Sequence, residues 1–520
     1  MKKINISNLL VLPALFSVFS CSQENKLKNF EEFSSEQKIV ATQNCDEDCV
    51  DLKKEFRYVV YVGEKIYCYW DLKKQETGLD YSKKASELEN LITSNISQTQ
   101  YFNILTKWAS SLHDGHVNAM LKDNLSDIEF YKLNLRLEVL APGTDHETLI
   151  VSDNTIPQSN LKVGTVIKTI QGQDWKVLAE KAEIYTSGST VAMRRRQVGN
   201  AIIRYLLEIE GPKAVTFQGT YTKSNNTSDV TEIVPRNLAL FDGQSTAVDT
   251  ESTGLELIKS SILNNNIGYL RIDGFSGSQM RKLLDQALSR LQNTDGLIID
   301  VRKNGGGDLS GDVVLARLIS KNLVRFSQRV ISSDMLQALR PSILFDYVFN
   351  GSAFSDIKDR FVAPSKAGQY TKPIVVLTSP FCFSACDTFV SAIKENKLGL
   401  VIGESTGGGT GNPLVIELPV SENSFRYSVA QGFKSVSKEY LEGSGTMPDV
   451  VIEPTVEERV AQKDLQLEKT AQFLLSKMTN QSQQQPVVQI VPEQMLQVQP
   501  AQDIAPYEIE FDRIVRRSAD

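Results

Sequence analysis

Histidine is nearly missing from this 520-residue chain: only His113, His116 and His146 occur, so chemistry that needs an imidazole has three addresses. Cysteine is almost as scarce, with six, and no C-x-x-C pair hints at a structural zinc site. Positive charge is in deficit, 56 Lys and Arg against 63 Asp and Glu for a net charge of −7. That balance excludes general nucleic-acid binding, which needs clustered cations to displace counterions. The short run Arg194-Arg195-Arg196 reads as a solvated face. A Walker phosphate loop is absent, because Gly403–Gly409 lacks its lysine; a dinucleotide fingerprint fails where Ser310 stands at the third glycine position. No cofactor and no metal is expected. What remains is a globular balance, 41% hydrophobic and 23% charged, with length for roughly three domains at about 150 residues each.

The amino terminus reads as an address. Lys2-Lys3 precedes the apolar run Leu9 to Phe19, too short for a spanning helix of ~20 residues, and Val18-Phe19-Ser20-Cys21 follows. This layout resembles a bacterial lipobox, with residues 1–20 as signal peptide and Cys21 as the lipid attachment site; an ordinary signal peptide is the alternative. Ser22, where an Asp would mark inner-membrane retention, points to the outer membrane. The expected location is the cell envelope, lipid-anchored and facing the periplasm. In such an oxidising compartment Cys45, Cys49 and Cys68 can form one bridge, and Cys382 and Cys386 can pair or stay buried thiols.

Residues 21–55 are polar and read as a tether. From 56 to 128 the pattern is helical, with Phe102, Leu105, Trp108 and Leu112 facing a core and Gly115 as a stop. Residues 129–245 carry short alternating runs, Leu133–Leu140, Thr148–Val151, Thr165–Ile170 and Ala214–Tyr221, which predict strands. Within them Leu161–Gln173 resembles the turn-and-strand segment of PDZ domains, modules that take an extended peptide as an added strand. Over 250–478 strands alternate with helices, which predicts βαβ crossovers and a layered α/β domain. Residues 479–520 form a Gln/Pro-rich low-complexity tail.

Two segments of the α/β region carry chemistry. In Pro373–Asp387 a buried strand ends, the chain turns, and a helix begins near Ser384. A serine there has its hydroxyl beside unpaired N–H groups and a positive dipole end. Two readings compete: a nucleophile, or a helix cap, since Asp387 three residues on completes a capping box. Asn304-Gly305-Gly306-Gly307 follows another buried strand, where ligands bind in open α/β sheets, and its amides can approach a ligand closely. Of the histidines, His146 lies in a polar Asp145-His146-Glu147 turn and reads as surface. His113 and His116 are spaced to share a metal, but Gly115 disfavours the continued helix this would need.

Taken in order, these segments resemble the tail-specific, or carboxyl-terminal-processing, serine peptidases and their tricorn-core relatives. The likeness runs over residues 56–476: D-G-H, the PDZ-like insert, G-L-I-I-D-V-R-K-N-G-G-G, F-S-A-C-D-T-F, V-I-G-E-S-T-G-G-G and M-P-D-V-V-I-E-P. The resemblance implies an α/β fold with a crotonase-like catalytic domain, an N-terminal helical domain and a PDZ-like β-rich domain. It implies Ser384 as nucleophile, with the amides of Gly306 and Ala385 as oxyanion hole. The processing peptidases use a Ser–Lys pair, and Gly409 stands where that lysine would be. The tricorn-like branch instead takes a histidine near the amino terminus and a carboxylate after the core, positions matched here by His116 and Glu442, with Glu439 the neighbouring alternative. In some members a serine precedes that histidine; here it is Gly115. The expected activity is serine-type hydrolysis of peptides or unfolded proteins, without nucleic acid, at a membrane reached through the lipid anchor. A peptide-binding envelope lipoprotein that has lost the chemistry is the competing expectation, motivated by the missing lysine.

Overall fold

In the computed structural model, which describes residues 29–121, 131–132, 135–238 and 254–483 apart from positions 38, 40, 43, 212, 224, 225, 235 and 236, a helical stretch at 29–36 is followed by four helices. The expected signal peptide, Cys21, the start of the tether and most of the Gln/Pro-rich tail lie outside the described residues. The helices are α1 (Glu47–Ile66), α2 (Trp70–Thr77), α3 (Tyr81–Glu89) and α4 (Gln98–Ser111). Helix α1 begins nine residues ahead of the expected boundary at 56. Asp46 caps it, accepting from the Cys49 N–H at 3.0 Å, and Glu47 and Asp48 suit the positive end of its dipole. A Cys45–Cys49 disulfide closes the same turn, and Cys49, Val50 and Leu52 are buried. An apolar stripe was hidden among polar neighbours, so part of the expected tether is core.

Helix α4 buries Leu105 and Trp108, as their spacing predicts, but ends at Ser111 rather than at Gly115. His113, with φ +47°, is where the chain leaves helical geometry. It then passes through Asp114-Gly115-His116 into strand β1 (Asn118–Met120). The helical core is shared with the α/β part of the chain, because Leu418, Phe425, Tyr427 and Val429 pack into it. Trp108 Nε1 donates to the Tyr427 hydroxyl at 2.8 Å, and that hydroxyl donates to the Val59 carbonyl at 2.9 Å.

The β-rich region holds β2 (Leu135–Leu140), β3 (Thr148–Asn154), β4 (Val166–Ile170), helices α5 (Trp175–Ala182) and α6 (Val191–Glu210), then β5 (Val215–Lys223) and β6 (Asn226–Val234). Its antiparallel sheet has the order β2-β3-β4-β5-β6. Helix α6 covers the β2 edge. A Cβ on Gly199 would fall 2.7 Å from Leu137 Cβ, and Asn200 Oδ1 accepts from the Leu137 N–H at 3.3 Å. The edge is therefore closed at Leu137 to the added strand that the PDZ likeness led us to expect.

The third region contains β7 (Ile258–Leu263), β8 (Ile267–Ile272), α7 (Met280–Leu291), β9 (Gly296–Asp300), α8 (Asp312–Leu318), β10 (Ile374–Thr378), α9 (Ala385–Glu395) and β11 (Leu400–Gly403). After these come β12 (Leu414–Glu417), β13 (Ser424–Tyr427), β14 (Val450–Val451) and the long helix α10 (Leu465–Gln483), which runs past the expected boundary at 478. The main sheet reads β7-β8-β9-β10-β11-β14, parallel except for β7. Strands β9 and β10 are buried along their whole length, which explains their unbroken apolar runs. Strand β1 pairs with β13, Asn118 opposite Arg426, and this pins the Asp-Gly-His segment to the α/β region.

Candidate active site

Ser384 stands where β10 has ended and α9 starts. Its backbone has φ +57° and ψ −119°, a conformation that non-glycine residues rarely adopt and that marks strained nucleophile elbows. The hydroxyl makes no cap bond and no other hydrogen bond among the described residues. Asp387, the partner a capping box would use, instead accepts from the Gly409 N–H at 3.0 Å. The capping reading of Ser384 therefore falls. Ala385 is the first residue of α9, where an N–H has no intrahelical acceptor and the dipole is positive. A Cys382–Cys386 disulfide brackets the serine, while Cys68 is a buried free thiol.

The glycine loop after β9 lies against this elbow. A Cβ on Gly306, whose φ is +99°, would sit 2.7 Å from Ser384 Cβ and 2.9 Å from the Ala385 nitrogen, so only glycine fits. Its N–H, expected as an oxyanion donor, is already donated to Asn304 Oδ1 at 2.9 Å. That expectation is corrected: Gly306 supplies close approach, and the N–H groups of Gly305 and Gly307 are the ones left unpaired among the described residues.

His116 is fixed from several sides. Asp114 Oδ1 accepts from the His116 N–H at 2.7 Å, Ser428 donates to Asp114 Oδ2 at 2.8 Å, and Arg426 Nε donates to the His116 carbonyl at 2.8 Å. The imidazole lies against the ring of Phe383, the residue before Ser384, with centroids 4.6 Å apart. Burial, aided by the Arg426 charge, holds its pKa well below the usual histidine range, so the ring is a neutral base at pH 7. Its Nδ1 is buried without a partner among the described residues. His113, whose φ is +47°, is pushed down to about 4 by burial and by the charges of Arg194 and Lys73. His146 is exposed between Asp145 and Glu453, at 3.0 and 3.1 Å.

Phe383 also explains two glycines. A Cβ on Gly115 would lie 2.6 Å from its ring, and one on Gly409 would lie 1.9 and 2.1 Å from two ring atoms. Gly115 is thus small to admit a ring rather than to stop a helix. At position 409 any side chain, lysine included, collides with Phe383 as it stands.

Glu442 is buried, and its direct partner is not the imidazole. Lys73 Nζ lies 2.9 Å from its Oε1, with both side chains fully buried. Burial pushes the Glu442 carboxyl up to about 8, with Asp114 adding to the rise and Lys73 and the Ser189 hydroxyl opposing it. Ser189 Oγ in turn accepts from the Gly115 N–H at 3.1 Å, so the hydroxyl that opposes the Glu442 rise also holds the loop carrying His116. The structure therefore sets the glycine loop against Ser384 and the His116 ring against Phe383, the residue before it, with Glu442 beside Lys73. Lys73 and Ser189 were not singled out from the sequence. Beside the elbow, Gly305, Ser379, Phe381 and Phe383 open onto a cleft of about 1240 Å³ whose far wall is formed by α6 and β2.

Residues 266–452 match Peptidase family S41. Over 196 residues the chain is 28% identical to the C-terminal processing peptidase, chloroplastic, of Tetradesmus obliquus, a match covering 36% of each chain. Over 217 residues it is 27% identical to the Tricorn protease homolog of Saccharolobus solfataricus, covering 41% of this chain and 17% of that one. The chain thus spans little more than a third, at most, of the length of these curated relatives. Among solved structures, mature CPAF gives a TM-score of 0.62 at 16% identity, with 84% of this chain and 98% of that chain covered. A mutant CPAF gives 0.63 at 15% identity, with 86% and 100% covered; this likeness shows the fold. Residues 266–452, which build the Ser384 elbow, thus match peptidase family S41 and are similar to carboxyl-terminal-processing proteases.

Proposed function

We propose that this protein is a serine-type peptidase that cleaves peptide bonds through an acyl-enzyme on Ser384, with His116 as general base. The observation that carries the reading is the uncapped, strained serine at the start of α9 with a neutral imidazole packed beside its elbow. A serine hydroxyl is a weak nucleophile until a base takes its proton, and a general base of this kind contributes about 10²–10⁴ in rate. The Ala385 N–H at the helix start, with a second donor from Gly305 or Gly307, would hold the oxyanion; each such donor is worth about 10²–10³. Glu442 would support the imidazolium through the Ser189 hydroxyl that holds the His116 loop, as the acid does in other triads. The reading is supported by the match of His116 and Glu442 to the histidine-using, tricorn-like branch.

The substrate is a peptide or unfolded protein held in the cleft between the elbow and the β-rich region. The sequence supports reading that region as PDZ-like, and with its β2 edge covered at Leu137 it would serve as a wall of the cleft rather than as a strand-adding dock. The lipobox-like start supports anchorage at Cys21 in the cell envelope, facing the periplasm. Turnover of an unfolded protein substrate such as reduced casein tests the proposal. Wild type should cleave it, and Ser384→Ala and His116→Ala should each lose at least about 10²-fold in kcat. Binding of the substrate without cleavage by wild type would favour the non-catalytic lipoprotein instead.

A further inference from the structure

We propose that Lys73 is a positioning residue of this site: its ammonium, delivered from α2, holds the Glu442 carboxyl in place behind the Asp114–His116 loop and favours its ionised form against the burial that opposes it. The inference rests on the reading of Glu442 as the acid that supports His116.

A lysine with no exposed surface is expensive to bury unless it is paired. Lys73 has an exposed-side partner already, Glu76 at 3.0 Å with 34% of its side chain in solvent, so an ion pair at the surface was available to it. Its ammonium instead sits fully inside the protein, 2.9 Å from a carboxylate that is itself fully buried. The backbone beyond Glu442 comes up to the same pair: Gly443 has φ +77°, and a Cβ on it would lie 3.6 Å from Glu76 Oε2 and 3.8 Å from Lys73 Nζ. Ser189, which belongs to the β-rich region and opposes the rise of the Glu442 carboxyl, accepts from the Gly115 amide. Three remote parts of the chain thus converge on one carboxylate.

The charges around it explain why Lys73 matters. Glu76 and Asp114 are the acids near the pair and Lys73 is its cation; His113 and Tyr81 also feel the Lys73 charge, His113 being held neutral chiefly by burial, and Tyr67, Cys68 and Tyr69 are buried and neutral, their own ionisation suppressed by burial and by the Asp114 and Glu442 charges. Burial and Asp114 both push a proton onto Glu442; Lys73 and Ser189 oppose this. The ammonium keeps its own proton, since Glu442, Asp114 and Glu76 together outweigh its burial. Lys73 is therefore a fixed positive charge, not a proton acceptor, and it does not replace the lysine missing at 409.

The pH dependence of kcat distinguishes positioning from mere structure. In Lys73→Met the acidic limb of the kcat profile should move up by at least about one pH unit, the shift an opposite charge at this distance supports. Below both limbs that is about a tenfold loss of kcat. Glu76→Gln, a change at a partly exposed side chain, should move the same limb down, because it leaves Lys73 to Glu442 alone; it also serves if Lys73→Met fails to fold. Glu442→Gln is the control. If Glu442→Gln keeps wild-type kcat, the reading of Glu442 itself fails. If Glu442→Gln is impaired while the limb stays put in the other folded variants, the assignment of Lys73 is overturned and that of Glu442 stands.

Discussion

Helices α4 and α9 both begin at a serine followed three residues later by a side chain able to close a capping box, and only α4 does so. Ser97 has ordinary extended angles, its hydroxyl accepts from the Gln100 N–H at 3.1 Å, and Gln100 reaches back to the Ser97 N–H at 2.9 Å. Ser384 has φ +57° and an idle hydroxyl, and the acid at 387 is drawn off to the Gly409 amide. A cap ties its serine into the helix. At α9 the serine is held from outside, by the disulfide between its flanking residues and by Phe383 packed among glycines. The difference separates a serine that stabilises a helix from one left free to react.

The largest way to break this arrangement is through packing. Gly409→Ala puts a methyl group inside the Phe383 ring and should destabilise the protein by about 1–3 kcal/mol, the usual range for overpacking. Thermal unfolding checks this, and a variant as stable as wild type would show that Phe383 does not hold the elbow as described. Next, the two serines can be compared directly. Ser97→Ala should cost about 1 kcal/mol, as loss of a cap does. Ser384→Ala should leave stability unchanged or raise it, because no bond is lost and strained reactive positions trade stability for activity. An equal loss from both would mean that Ser384 is a cap after all.

A smaller effect reads the acids. Asp387 is pushed up to about 7, chiefly by burial, with the Thr406 hydroxyl and the amides of Gly408 and Gly409 opposing. The folded protein therefore holds protons there, and on Glu442, that the unfolded chain has released. Such stability is complete below the ordinary carboxyl range and is lost as pH rises through 7 to 8. The two depressed histidines act in the opposite sense, but only below their ordinary value of about 6.5. Between pH 6.5 and 8.5 the melting temperature should fall, and fall less in Asp387→Asn. A flat profile for wild type would place both acids outside the low-polarity setting described.

Much of the site's local architecture could be read from the chain. Strand, turn and helix around Ser384 follow from Ile374–Thr378 and the apolar face of α9, and the glycine loop follows from its place after β9. Contacts between remote segments could not. Lys73 looks like any solvated lysine on a short polar helix, and only the fold shows that it points inward. Gly115 and Gly409 read as a stop and a gap, when both make room for Phe383. The start of α1 was masked by acids that serve its cap and dipole. The Gly306 amide is taken by an Asn side chain two residues earlier, a local bond with no periodic signature in the chain.

The most direct measurement is intact-mass and peptide-mapping analysis after treatment with a fluorophosphonate. A single phosphonyl adduct on Ser384 in wild type, lost in Ser384→Ala and greatly slowed in His116→Ala, is the predicted result. An unmodified wild type, or an adduct on another serine that survives the Ser384 change, would contradict it.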